Sequence, residues 1–249
     1  MNDPYGIDDD RGYLYGDGLF ETVRVHPEGR VRWLEWHIER FERSATWLGY
    51  PDVQIQAAVE VLQNLPSRRA GIWRVTVTRD DGDAPFGGTG TIRTRYRPYV
   101  ERERPRLGIA SDWYVPGDPL AEHKTTGYLR SIEVLRRARK AGYDDAVTVS
   151  KDGAVGECAW ANIVVVNGER AVTPLLRGIL PGVTRRGVIN AYPGQVEVGR
   201  VMLDDIREAD EIALLSAGVG ALAAASIEGK PLDNQFSERL NAWLDEVRA

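Results

Sequence analysis

With a single cysteine, Cys158, the chain has no internal disulfide, and its thiol content fits a reducing compartment. The three histidines, His26, His37 and His123, lack metal-ligand spacing, so no metal centre is expected. No apolar run approaches the ~20 residues that span a bilayer. The acidic opening MNDPYGIDDDRGY lacks the basic-then-apolar order of a signal peptide, so the expected location is cytoplasmic. A net charge of −5, with arginines scattered among acids, argues against nucleic acid or an anionic membrane as partner. Lysine is scarce too: Lys124 is the only one before Lys140, in a chain whose cations are otherwise mostly arginine. What is present is an ordinary globular composition, 43% hydrophobic and 28% charged, over 249 residues, enough for one large domain or two modest ones.

Residues 1–12 read as a polar tail or turn. Gly16-Asp17-Gly18 punctuates a turn before the strand Phe20–Val25, and Pro27–Arg30 reads as a hairpin turn returning through Val31–Leu34. Leu34, Ile38, Phe41, Ala45 and Leu48 recur at helical spacing up to Gly49, and a second helix is expected over Asp52–Asn64. Trp73, Val75 and Val77 alternate with Arg74, Thr76 and Thr78 as a half-buried strand. A polar Gly/Asp/Pro-rich loop fills residues 80–90, and strands follow at Thr91–Tyr96 and Leu107–Ala110. The turn-rich Ser111–Pro119 is the expected linker, giving a small N-terminal α/β domain over residues 1–112 and a larger C-terminal domain over 113–249. The second half opens with Lys124 in the first turn of a helix whose buried face is Leu129, Ile132, Leu135 and Ala138. Strands are expected at Ala146–Val149, Ile163–Val166 and Glu211–Ser216, a short helix at Thr184–Ala191, and a closing amphipathic helix through Phe236 and Val247. Mixed elements in two segments predict an α+β (mixed α/β) protein.

Only lysine among the cations offers an amine that forms a Schiff base, and burial makes that amine nucleophilic. By spacing alone, a lysine in a helix's first turn is more often a solvated surface residue. Four ordered blocks carry more: Tyr15-Gly16-Asp17-Gly18-Leu19-Phe20-Glu21-Thr22, His37-Ile38-Glu39-Arg40, Lys124-Thr125-Thr126 with Gly156-Glu157 and Asn162, and Leu180-Pro181-Gly182-Val183-Thr184-Arg185. Together these resemble the class IV, fold-type IV aminotransferases, enzymes that use pyridoxal 5'-phosphate (PLP). The group includes branched-chain and D-amino acid aminotransferases and 4-amino-4-deoxychorismate lyase.

The resemblance implies roles residue by residue. Lys124 would hold the internal aldimine and later move the Cα proton. Glu157 would face the pyridine nitrogen, although by itself it also reads as a turn-end glutamate on a surface hairpin. Arg40 would bind the cofactor phosphate, and composition alone would pair it with Glu39 or Glu42 on a helix surface. Val183 and Thr184, after Pro181-Gly182, would add helix N-terminal amides and a hydroxyl, and Ser216 and Ala217 a second phosphate contact. Tyr128, read as one helical turn beyond Lys124, would touch the cofactor hydroxyl or simply pack. Phe20, Trp33 and the 80–90 loop are candidates for contact with a small amino-acid-like substrate, and a homodimer is implied.

Two reactions share these residues. The short chain and the strand GIWRVTVTR followed by a glycine-rich loop resemble the lyases, which release 4-aminobenzoate and pyruvate for folate biosynthesis. That strand lacks the Tyr-x-Arg pair of the branched-chain aminotransferases. The alternative is an aminotransferase acting on D-amino or branched-chain amino acids with 2-oxoglutarate.

Overall fold

A computed structural model describes residues 9–80 and 90–247 of the chain. The expected tail over residues 1–8 and nearly all of the 80–90 loop lie outside the described residues. Helices and sheets are mixed, the α+β class expected from sequence, and the chain divides into two compact units. The first is Met1–Val100 with His123–Tyr128; the second is Glu101–Glu122 with Leu129–Arg248.

The first unit contains α1 (Arg11–Tyr15), β1 (Gly18–Val25), α2 (Leu34–Trp47), α3 (Asp52–Gln63), β2 (Gly71–Thr78) and β3 (Ile92–Arg97). The three strands form an antiparallel sheet in the order β1-β2-β3, in register from Gly18 opposite Thr78 to Val25 opposite Gly71. Because side chains alternate across a strand, Leu19, Val23, Val25, Val75 and Val77 share one face. They pack there with Phe41 and Ala45 of α2 and Ile55, Ala58 and Leu62 of α3. Gly49, at φ 72°, ends α2 in the left-handed region that glycine adopts without strain. The return strand expected over Val31–Leu34 is reduced to one bridge between Val25 and Val31. Trp33 stands at φ 53° and turns the backbone straight into α2.

His123–Tyr128 runs alongside β1. The Phe20 N–H donates to the Lys124 carbonyl at 2.8 Å, and the Thr126 N–H donates to the Gly18 carbonyl at 2.7 Å. Lys124 is therefore not in a helix's first turn, and Tyr128 is not one helical turn along from it: the following helix, α4 (Leu129–Lys140), begins only after this extended segment. Backbone pairing with β1 outweighs the helical spacing seen in the sequence. The first crossing between units falls at Val100/Glu101 rather than after residue 112, and the segment 123–128 returns to the first unit.

The second unit holds two five-stranded sheets. One is formed by β4 (Arg106–Ser111), β5 (Asp145–Val149), β6 (Val155–Cys158), β12 (Ser226–Ile227) and β13 (Lys230–Pro231), in the order β13-β12-β4-β5-β6. The other is formed by β7 (Asn162–Asn167), β8 (Arg170–Pro174), β9 (Glu197–Gly199), β10 (Glu211–Ser216) and β11 (Gly220–Ala223), in the order β11-β10-β7-β8-β9. Leu107, Val147, Val149 and Val155 of the first sheet share one core with Ile163, Val165, Val172, Ile212 and Leu214 of the second. Cys158 packs into that core, and burial raises its thiol pKa well above the usual value. The remaining helices are α5 (Val183–Ala191), α6 (Leu203–Glu208) and α7 (Gln235–Glu246). On α4 the buried residues are Val134 and Ala138, whereas Leu129 and Ile132 are 76% and 56% exposed in this single chain. The helix docks against the Ala146 and Ala159 side of the sheet, a quarter-turn from the face the spacing suggested. Among the described residues no helix is long and apolar enough to cross a membrane.

Candidate active site

In the first unit the site grows from β1. Phe20 and Glu21 are neighbours on the strand, so their side chains leave opposite faces of the sheet. Glu21 points towards α2 and is 1% exposed. His37 and Arg40, three residues apart on α2, both reach it: Arg40 Nε and Nη2 donate to its two oxygens at 2.8 and 2.6 Å, and His37 Nδ1 lies 2.9 Å from Oε2. Arg40 thus pairs with Glu21 of the strand, and it is buried rather than on a helix surface. Burial works to raise the Glu21 pKa, but the Arg40 charge and the His37 hydrogen bond outweigh it and hold the carboxyl well below the usual range. Burial is the first cause lowering the His37 pKa, which keeps that ring neutral against the opposing pull of Glu21.

On the other face Phe20 collects the remaining groups. The Lys124 ammonium lies 4.5 Å from its ring centroid, the Arg74 guanidinium 3.6 Å, and the Tyr128 ring meets it edge-on at 5.5 Å. Lys124, Tyr128 and Phe20, singled out separately in the sequence, are thereby brought together. His123, beside Lys124, bonds Ser44 Oγ of α2 through Nδ1 at 3.0 Å and stacks on Trp47 at 4.3 Å. Trp33, the other candidate, is 6% exposed and stacks on Trp36 at 5.3 Å.

In the second unit Glu157 lies on β6, not at the end of a surface turn. Its Oε2 accepts from Asn162 Nδ2 at 2.8 Å and its Oε1 from the Leu180 N–H at 3.1 Å, while Asn162 Nδ2 also donates to the Leu180 carbonyl at 2.8 Å. This ties the carboxylate to the Leu180-Pro181-Gly182 turn. A Cβ on Gly182 would collide with Asn162 Oδ1, so any larger residue there displaces the Asn162 amide. Gly182 caps α5, whose first residues Val183 and Thr184 are 4% and 3% exposed. Ser216 ends β10 and, with Ala217, opens a turn closed by the Val219 N–H to the Ser216 carbonyl at 3.2 Å.

Two residues with chemistry escaped the sequence reading. Arg185 is 3% exposed, donates to Thr173 Oγ1 at 2.9 Å and to the Pro174 carbonyl at 2.7 Å, and has its pKa lowered to about 10 by burial, with Glu157 opposing. The Thr-Arg at the end of the fourth motif block was its only signal. Arg74 stood in the polar half of the alternating strand Gly71–Thr78, and only the cross-strand register joins it to Phe20.

Each unit by itself carries groups of a kind that suits a phosphorylated pyridine aldehyde: a lysine amine against an aromatic ring and a buried arginine in the first, a fixed carboxylate and a helix N-terminus in the second. Comparison with known proteins points the same way. The family model "Amino-transferase class IV" matches residues 18–227. A Methanocaldococcus jannaschii protein with the provisional name branched-chain-amino-acid aminotransferase is 31% identical, over 96% of this chain and 90% of its own. The aminodeoxychorismate lyase of Bacillus subtilis is 28% identical over 94% of this chain and 85% of its own. A solved hypothetical aminotransferase from Mycobacterium tuberculosis in its PLP-bound form superposes with a TM-score of 0.80 at 25% identity, covering 98% of this chain and 94% of that one. The chain therefore belongs to the class IV aminotransferase family and is a PLP-dependent enzyme.

Proposed function

We propose that the enzyme is a 4-amino-4-deoxychorismate lyase, forming 4-aminobenzoate and pyruvate. The observation that carries this reading is the surround of Lys124: the flat Phe20 ring beneath its ammonium, the Tyr128 ring edge-on, and the Arg74 cation on the same ring. A planar wall with a cation beside it suits a cyclic, carboxylate-bearing substrate better than a branched aliphatic one. PLP supplies the electron sink next to the substrate's amino nitrogen. Lys124 takes the proton from the carbon bearing that nitrogen. The neighbouring C–O bond then breaks, the ring becomes aromatic, and the departing enolpyruvate gains a proton to become pyruvate.

The other residues bind and orient. Arg40, fixed by Glu21, would hold the phosphate with the Val183 amide, the Thr184 hydroxyl and amide, and the Ser216-Ala217 turn. Glu157, fixed by Asn162 and the Leu180 N–H, would keep the pyridine nitrogen protonated. Tyr128 would face the cofactor hydroxyl, with Phe20 and Trp33 on the substrate side. The exposed Leu129 and Ile132 of α4 suit burial against a second copy, and a homodimer is part of the reading.

The 31% identity to a protein named for branched-chain transamination favours a second reading, transfer of an amino group to 2-oxoglutarate. One assay separates the two. PLP-loaded enzyme is given aminodeoxychorismate, and in parallel an amino acid with 2-oxoglutarate. Equal yields of 4-aminobenzoate and pyruvate support the lyase. Their absence, with ketoacid formed from the amino acid instead, rejects it for transamination.

A further inference from the structure

His123 stands immediately before Lys124, and none of the roles assigned above uses it. Neighbouring side chains of an extended segment leave on opposite sides: Lys124 lies on the Phe20 ring, and His123 turns towards α2. There its Nδ1 meets Ser44 Oγ at 3.0 Å, and its ring stacks on Trp47 at 4.3 Å, 26° from parallel.

Two features of α2 set this contact apart from ordinary packing. Ser44 is 1% exposed, and among the described residues His123 is the one partner of its hydroxyl. A buried hydroxyl is costly without such a partner. Trp47 is 54% exposed and stands outside the core that α2 builds with the sheet, so its role is to hold the His123 ring in one plane. His37, Arg40, Ser44 and Trp47 follow one another at three- and four-residue steps and form a single stripe along α2. The first two hold Glu21, and the last two hold His123. Burial, then the charges of Arg40 and Lys124, lower the His37 pKa against the pull of Glu21, so the Lys124 amine lies within electrostatic reach of this stripe.

Beyond Lys124 the segment is fastened to β1 and the turn before it. The Thr126 N–H donates to the Gly18 carbonyl at 2.7 Å, and Thr126 Oγ1 donates to the Gly16 carbonyl at 2.9 Å. A Cβ on Gly18 would strike Thr126 Oγ1, which shows how closely strand and segment approach. The Lys124 carbonyl itself accepts from the Phe20 N–H at 2.8 Å. The backbone is therefore pinned on both sides of the lysine, to β1 after it and to α2 before it.

We propose that His123 is a positioning residue: through Ser44 and Trp47 it holds the Lys124 backbone on the helix that carries Arg40, and so fixes the separation between the reacting amine and the phosphate-binding arginine. The inference rests on Lys124 as the reacting amine, and it applies to the lyase and to the transferase alike. An amine that meets a cofactor anchored elsewhere by its phosphate tolerates little play, because displacing a reacting group by ~1 Å costs on the order of 100-fold in rate.

The test compares PLP-loaded His123→Ala, His123→Asn, His123→Phe and Ser44→Ala with the parent enzyme, together with the double variant Ser44→Ala/His123→Ala. Asparagine carries a polar atom where Nδ1 stands, and phenylalanine keeps the ring without it. His123→Ala should lower kcat by about 10- to 100-fold. KM should change by less than about 3-fold, since the lost side chain faces away from the Phe20 ring. Loss of one neutral hydrogen bond should lower the melting temperature by only about 2–4 °C. His123→Asn should recover most of the rate and His123→Phe little of it. Ser44→Ala should share the loss, and the double variant should be no slower than the slower single one. Amide hydrogen exchange reads the same anchor without turnover. In His123→Ala the Phe20 amide should exchange at least ~10-fold faster while the amides of β2 keep the parent's rates, whereas a merely structural role would speed both alike. An unchanged kcat in His123→Ala, a rescue by phenylalanine equal to that by asparagine, or exchange that rises across the whole sheet overturns the proposal. If His123→Ala does not fold, Ser44→Ala carries the same decision. A Lys124→Ala enzyme that still turns over removes the reacting amine and this inference with it. An inactive Lys124→Ala beside a His123→Ala that matches the parent sinks this inference and leaves the amine in place. If the parent acts on neither substrate, the proposed reaction falls and the exchange rates decide the role of His123 by themselves.

Discussion

The Glu21–Arg40 pair makes the sharpest quantitative prediction, through the substitution Glu21→Gln. Arg40 would keep its buried charge but face an amide that can accept only one of its two hydrogen bonds. Removing one partner of a buried ion pair leaves an uncompensated charge and typically costs about 3–5 kcal/mol. For a chain of this size that corresponds to a fall in melting temperature of roughly 6–20 °C. The pH dependence supplies a second arm. The folded-state pKa of Glu21 is depressed, so its stabilisation is fully present above the unfolded value of about 4.3 and is lost as pH falls through the folded value. Urea unfolding at pH 7 and at a series of values below 5 should show the parent losing stability with acid along this arm, and Glu21→Gln lacking it. The double replacement Glu21→Leu with Arg40→Leu should recover much of the pH 7 loss, because replacing a whole buried pair by apolar residues is often close to neutral. It should nevertheless fail to retain PLP. A Glu21→Gln protein as stable as the parent, or one with the parent's acid slope, would refute the reasoning.

Three further perturbations have defined outcomes. Asp145 is fully buried, its Oδ1 accepting from the Ala146 and Ala159 N–H groups and its Oδ2 without a partner, and burial raises its pKa to about 6. A raised carboxyl pKa means that folding favours the proton, so stability declines as pH rises from about 4 towards that folded value. Asp145→Asn should remove the decline and gain up to about 3 kcal/mol above pH 7, read by denaturant midpoints across pH. His26 is held neutral, its pKa lowered to about 4 by burial and by Arg24, Arg32 and Arg30, so its stabilisation is full above about pH 6.5 and lost as pH falls through the folded value. His26→Gln should flatten the unfolding midpoint across that window. Gly182→Ala would push the Asn162 amide off Glu157, costing about 1–3 kcal/mol of stability and weakening PLP retention, which equilibrium dialysis of the cofactor would measure.

The longer elements were legible because each has one dominant period. Leu34 to Leu48 repeats at helical spacing and forms α2, and Trp73, Val75 and Val77 alternate and form β2. The two-residue strands β12 and β13 are too short for any period and went unread. The same rule misled at α4, where Leu129 and Ile132 have helical spacing but stay exposed, because spacing alone does not fix which side of a helix meets the sheet. Among the candidate site residues, Lys124, Glu157 and Arg40 were singled out through motif resemblance. Arg40's partner was not, because Glu21 lies 19 residues away on a strand. The Arg74–Phe20 contact was hidden for a similar reason: register, not sequence distance, decides what shares a face.

The placement of His123–Tyr128 bears on how the protein is synthesised and how it can be cut. A nascent chain that has completed β3 still has the Leu19 edge of its first sheet open until the residues around Thr125 emerge. The first unit cannot close before roughly half of the polypeptide has been translated, and a fragment stopping at residue 112 would carry a bare strand edge, an invitation to intermolecular pairing. Expressed alone, such a fragment should aggregate. Supplying residues 123–128 after a short flexible linker should render it soluble, with the lysine restored to its ring.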